Sequence, residues 1–155
     1  MKILIALDDS PHALRAAQEA ARLFPDAEYL VINVSGRVVP WVMGDYGTVY
    51  PMHLTDLPDD GLDDAEIDSR VERAGLDDAR VIATEGDPAS MICAAAEVHD
   101  VDVVVVGSRD KGLLRRLFEP SVAQAVVQGT YRPVLVVSGE PPSEDADEQG
   151  DRHGA

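Results

Sequence analysis

At 155 residues, 45% hydrophobic and 27% charged, the chain has material for one globular core and excludes a multidomain assembly within it. Twenty-nine Asp and Glu against thirteen Lys and Arg give a formal charge of −16, a field that repels phosphate backbones and anionic headgroups, so neither nucleic acid nor membrane is expected as a partner. A single cysteine, Cys93, excludes an intramolecular disulfide framework and a multi-cysteine metal site.

The apolar run at residues 3–7 predicts a first strand. Asp8-Asp9-Ser10-Pro11 closes it with a helix-start signal, because Ser10 can cap and Pro11 can occupy the first helical position. Leu14, Ala17, Ala21 and Phe24 recur at three- and four-residue spacing and predict a helix over 11–24, which Pro25-Asp26 ends. A second strand spans 28–34. An irregular stretch then runs to about Gly61 and contains Trp41, Tyr46, Tyr50 and three prolines. Residues 62–74 read as a short acidic helix stopped by Gly75, and 79–84 as a third strand.

Gly86-Asp87-Pro88 repeats the start signal and opens a helix over 89–99 with Ile92, Ala95 and Ala96 inward. Residues 101–106 end in four consecutive valines, and the lack of alternation marks a central parallel strand buried on both faces. After Gly107 come a basic loop, a helix over 120–128 and a last strand running from Val134 to Val137. Strands alternating with helices predict an α/β fold, a doubly wound three-layer sandwich with a five-stranded parallel sheet. The tail, 140–155, holds six acids and one Arg with little apolar content and is expected to be disordered, which leaves 1–139 as the domain.

No apolar run approaches the roughly eighteen residues of a spanning helix, and the opening residues carry no secretory pattern, so a soluble cytoplasmic protein is expected. Asp outnumbers Glu nineteen to ten, and Lys2 and Lys111 are the sole lysines. Short hydrated carboxylates suit a cytoplasm of molar salt, where repulsion is screened within ~3 Å. The composition therefore reads as halophilic, with an acidic mesophilic protein as the alternative.

In an open parallel sheet, ligands bind outside the carboxyl ends of the strands, where strand order reverses. The first strand ends in Asp8-Asp9-Ser10 and the fourth in Gly107-Ser108-Arg109-Asp110-Lys111-Gly112. A carboxylate there accepts ribose hydroxyls, and a glycine lets backbone amides approach a phosphate at a helix start. Asp8 has a structural alternative, helping to cap the first helix. Trp41, Tyr46 and Tyr50 read as anchors of a long loop, with an adenine lid as the other reading. Cys93, beside apolar Ile92 and away from basic neighbours, reads as a packed thiol. His12, His53, His99 and His153 show no metal-ligand spacing, so no metal is assigned.

Residues 3–10, Ala13-Leu14, Gly86-Asp87-Pro88-Ala89, Gly107-Ser108-Arg109 and Pro133 with the valine-rich run after it together resemble the spaced motifs of the universal stress proteins over about residues 1–138. The resemblance implies a strand order of 3-2-1-4-5 and homodimers joined through the last strand, Val134 to Val137. It implies an adenine-nucleotide cleft with Ala6, Asp8 and Val34 on the nucleoside side and Gly107, Arg109, Ser121 and Val122 on the phosphate side. ATP-binding members carry Gly-x-x-Gly, nine residues, then Gly-Ser or Gly-Thr. Here the same register has Gly107-x-x-Asp110 and then Pro120-Ser121.

Asp110 sets a carboxylate beside the phosphate position, and Pro120 has no amide hydrogen to donate. Arg109, Lys111, Arg115 and Arg116 cluster in the same loop, either to attract an anion or to pair with acids such as Asp110 and Glu119. The expected function is a noncatalytic stress-response or regulatory module whose ATP phosphate loop is degraded, with ATP or another adenine nucleotide as the candidate ligand. An ATP-binding sensor or weak ATPase is the first alternative. A protein-interaction module with no nucleotide is the second.

Overall fold

The computed structural model describes residues 1–35, 41–43, 49–51, 62–108 and 122–138, with backbone alone at 41–43 and 49–51. The elements are β1 (Lys2–Ala6), α1 (Pro11–Leu23), β2 (Glu28–Ser35), β3 (Trp41–Met43), β4 (Val49–Pro51), α2 (Asp64–Arg73), β5 (Arg80–Glu85), α3 (Pro88–Val98), β6 (Val103–Ser108), α4 (Val122–Gly129) and β7 (Val134–Ser138). Five strands form one parallel sheet in the order β5-β2-β1-β6-β7. Numbered within that sheet alone, this is 3-2-1-4-5. The order reverses between β1 and β6.

Alternation along the central strands feeds two apolar layers. Ile3, Ile5, Val31 and Val105 face one side, where α1 and α2 cover them with Leu14, Ala16, Ala17, Ala20, Ile67 and Val71. Leu4, Leu30, Ile32, Val104 and Val106 face the other, against Ile92 and Ala96 of α3 and Ala123 and Val126 of α4. The valine run of β6 is thus buried on both faces, as its lack of alternation predicts. Each fully buried branched side chain contributes about 1.5–3 kcal/mol, so these two layers supply most of the drive to fold.

The helix starts follow the local signals. Ser10 caps α1, its Oγ accepting from the Ala13 N–H at 3.1 Å, with Pro11 in the first turn. Asp63 and Glu66 form a reciprocal capping box at α2, and Asp87 followed by Pro88 starts α3. Gly75, at φ +74°, follows α2 in the left-handed conformation that stops a helix cheaply.

One expectation is corrected: the stretch from 36 to 61 is not irregular throughout. β3 and β4 pair antiparallel there, with Trp41 opposite Pro51, Val42 opposite Tyr50 and Met43 opposite Val49. Short runs of β-branched and aromatic residues favour extended pairing, and the three prolines masked that signal in the sequence. Tyr46 lies outside the described residues, and so does the 140–155 tail. Among the described residues, no helix is long and apolar enough to cross a membrane.

The amino ends of the strands are tied by charge. The Lys2 N–H donates to Asp102 Oδ2 at 2.7 Å, and the Asp102 N–H returns to the Lys2 carbonyl at 2.8 Å. Arg132 donates to Glu97, to Asp100 Oδ1 at 2.9 Å and to the Val101 carbonyl at 3.1 Å, so one guanidinium joins the end of α3 to the entry of β7. Bonds to Glu97 and Asp100 push its already high pKa further up.

Candidate functional site

At the opposite, carboxyl end, the sheet opens into a cavity of about 120 Å³ at the point where strand order reverses. β1 and its exit supply Ala6, Leu7 and Asp8, β2 supplies Ile32 and Val34, and β6 supplies Val106 and Gly107. Three helix starts complete it: Ser10 and Ala13 from α1, Pro88 and Ile92 from α3, and Val122 from α4. Five of the seven residues singled out from sequence, Ala6, Asp8, Val34, Gly107 and Val122, therefore meet in one place. Arg109 and Ser121 lie outside the described residues, as do Asp110 and Pro120.

The exit of β1 is built by local hydrogen bonding. The Leu7 N–H donates to the Ile32 carbonyl at 2.9 Å, extending the β1–β2 ladder one residue past the strand. Asn33 is buried, and its Nδ2 donates to the Leu7 carbonyl at 2.8 Å. That bond satisfies an acceptor which no strand reaches, and leaving it unmade would cost about 1–3 kcal/mol. Asp8 Oδ1 then accepts from the Ser10 N–H at 2.9 Å. Asp8 thus does a local structural job: its carboxylate shapes the turn that presents the capping Ser10, while the side chain stays exposed at the cavity edge.

Gly107 is fixed by a close approach. A Cβ there would lie 2.6 Å from the backbone carbon and oxygen of His12 and 2.8 Å from the Ala13 nitrogen. The first turn of α1 rests directly on the exit of β6, so glycine serves helix–strand packing at this site in addition to any contact with an anion. Across the cavity, the Gly86 N–H donates to the Ser35 carbonyl at 3.1 Å, which places the Gly86-Asp87-Pro88 turn beside the end of β2. Asp87 Oδ2 accepts from the Ser90 hydroxyl at 2.6 Å and the Ser90 N–H at 2.9 Å. These bonds hold the carboxyl below its ordinary 3.8, so their stabilisation is present above that pH and is lost as pH falls through the lowered value.

The chemistry of the lining is asymmetric. Ala6, Ile32, Val34, Ile92, Val106 and Val122 make an aliphatic slot, and Asp8 is the one charged side chain among the described lining residues. No basic side chain is among them. Two of the three helix starts have also committed amides: α1 and α3 each lose one to proline and give another to their own cap. The described part of the slot suits a flat, uncharged ring with hydrogen-bond donors near Asp8.

Cys93, on α3, is part-buried with Sγ 3.9 Å from the Val126 carbonyl, and burial, then Glu97 and Asp87, push its thiol pKa up. Among the described residues no group of His, Cys, Asp and Glu could hold a metal.

Sequence reasoning missed two supporting residues. Asn33 was visible as the lone amide in an apolar strand, the kind of residue that must find a partner when buried. Arg70 of α2, which donates to the carbonyls of Asp9 and Ser10, had no local signal at all, since a helix-surface Arg in an acidic segment looks like any solvated base.

The universal stress protein family model matches residues 1–138. Universal stress protein YxiE of Bacillus subtilis (strain 168) is 29% identical over 153 residues, covering 88% of this chain and 97% of its own length. A solved universal stress protein in complex with cAMP aligns with a TM-score of 0.64 at 20% identity, over 88% of this chain and 96% of the other. A universal stress protein family protein from Arabidopsis thaliana with AMP bound aligns at 0.61 and 18% identity, over 95% and 97%.

Proposed function

The chain belongs to the universal stress protein family, and from that premise we propose that it is a noncatalytic regulatory module which takes an adenine nucleotide in the cleft at the reversal of strand order, gripping the nucleoside more firmly than the phosphates. The observation that carries this reading is the convergence of Ala6, Asp8, Val34, Gly107 and Val122, drawn from four elements and the exit of β1, on one mostly aliphatic cavity. The AMP and cAMP complexes of the two structural relatives support adenine as the base. In this reading the slot holds the base and Asp8 accepts from the ribose hydroxyls. The phosphates rest near the start of α4, and in the sequence Asp110 and Pro120 stand in place of two glycines of the ATP-binding pattern. We assign no chemical step, because Ser10, the one hydroxyl among the described lining residues, is buried and engaged as the α1 cap.

Titration calorimetry in molar KCl with magnesium tests this. Adenosine, AMP and cAMP bind saturably, ATP binds no tighter than AMP, and no phosphate is released. Asp110→Gly with Pro120→Gly raises ATP affinity by about tenfold, the worth of one restored amide bond. ATP turnover would favour a weak ATPase, and silence toward every adenine ligand would favour a protein-interaction module.

The same reading includes a homodimer paired along β7. Val136 is 40% exposed on this edge strand, and an uncovered apolar edge invites a second strand. Val136→Lys shifts the particle to monomer mass in light scattering; an unchanged mass overturns the edge pairing. The acidic composition supports work in a salt-rich cytoplasm.

A further inference from the structure

α2 lines no part of the cavity, yet it reaches the turn that carries Asp8. The helix is itself held in place. Its start is closed by the capping box, Ile67 and Val71 bury themselves on either side of Arg70, and the Gln18 side chain donates to the Arg73 carbonyl at 3.2 Å, fastening α1 to the last turn of α2. The half-buried Arg70 side chain therefore leaves a fixed platform. Its Nη2 donates to the Asp9 carbonyl at 2.6 Å and its Nη1 to the Ser10 carbonyl at 3.4 Å.

The Asp9 carbonyl and the Ser10 N–H belong to the same planar peptide unit and point in opposite directions. On its far side, that N–H donates to Asp8 Oδ1 at 2.9 Å. A guanidinium that holds the oxygen fixes the plane of the unit and so aims the N–H at the carboxylate. Its positive charge also polarises the amide and strengthens the second bond. The weaker contact to the Ser10 carbonyl steadies the next peptide, whose oxygen accepts the first helical bond of α1 from Leu14.

We propose that Arg70 is the positioning residue of the ribose contact, orienting the Asp8 carboxylate through the single peptide unit between Asp9 and Ser10. This rests on the reading of Asp8 as the acceptor of ribose hydroxyls. It assigns α2, which follows the β3–β4 segment in the chain, a place in nucleoside recognition without contact to the nucleoside.

Two measurements on the full chain test it, one without ligand. In amide NMR of the ligand-free protein, Arg70→Met moves the Ser10 amide proton upfield and raises its exchange rate, because the N–H loses its aim. In calorimetry, adenosine is compared with 2′,3′-dideoxyadenosine. The wild type prefers adenosine by about tenfold, the worth of a hydrogen bond to a charged acceptor, and Arg70→Met brings the ratio close to one. Arg70→Lys keeps the charge but not the forked geometry and gives an intermediate ratio, and it decides the matter should the Met variant fail to fold.

A Ser10 amide unchanged in both variants overturns the proposal whatever the ligand does. So does a responding amide with a preference for adenosine that all three proteins share. A wild type with a responding Ser10 amide that binds neither nucleoside overturns the nucleoside reading of the cleft, and the role of Arg70 in it falls for that separate reason.

Discussion

The two ends of the parallel sheet are finished by opposite means. At the amino ends, long charged side chains close the gaps: Arg132 gathers Glu97, Asp100 and the Val101 carbonyl, and Lys2 and Asp102 exchange main-chain and side-chain bonds. At the carboxyl ends the cavity wall itself is closed with small residues and short caps, through Gly107 against His12, Ser10 over Ala13 and Asn33 onto Leu7, and the guanidinium of Arg70 braces it from behind at the Asp9 and Ser10 carbonyls. The contrast separates two tasks. Flexible ionic ties are enough where nothing must enter, because a long side chain can adjust. Where a cavity has to keep its shape, each contact seizes a main-chain group at short range and leaves little slack.

The largest expected effect comes from forcing bulk into the rigid end. Gly107→Val places a Cβ where the His12 backbone already stands, and no rotamer relieves that clash. We expect destabilisation at the upper end of the about 1–3 kcal/mol of ordinary overpacking, read as a lower urea midpoint in molar KCl, together with loss of adenosine binding. A variant with the wild-type midpoint would erase the contrast, since it would show the carboxyl end to be as yielding as the other.

A smaller effect sharpens the comparison from the opposite side. Arg132→Met removes the guanidinium ties but leaves Glu97 and Asp100 exposed to water, so the cost is limited and shrinks with added salt. The melting temperature falls by less than in Gly107→Val, and adenosine affinity stays at the wild-type value in calorimetry. A change in affinity would mean that the two ends are mechanically coupled through the sheet.

Much of this architecture is legible in the residues alone because local signals and burial agree. Ser10-Pro11 and Asp87-Pro88 each announce a helix, and each does start one. The uninterrupted valines of β6 announce a strand covered on both faces, and Val104, Val105 and Val106 are buried. The β3–β4 pairing was hidden because each strand is three residues long and Pro51, inside β4, carries the opposite signal.

The site was half legible for a similar reason. Ala6, Asp8, Val34 and Gly107 stand at strand exits, which topology alone brings together, whereas Ile92 enters the cavity from α3 and Arg70 acts on it from α2. No rule of sequence spacing connects a side chain on one helix to a peptide plane sixty residues earlier.

The contact between Gly107 and the first turn of α1 has a consequence for how a guest is chosen. The exit of β6 and the beginning of α1 touch through main-chain atoms, so they behave as one jaw of a vice welded at its hinge. A molecule too thick for the gap gains nothing by pushing, because the strain would fall on peptide groups that have nowhere to go. In the nucleoside reading proposed above, thickness is therefore the first property of a guest that this cleft measures.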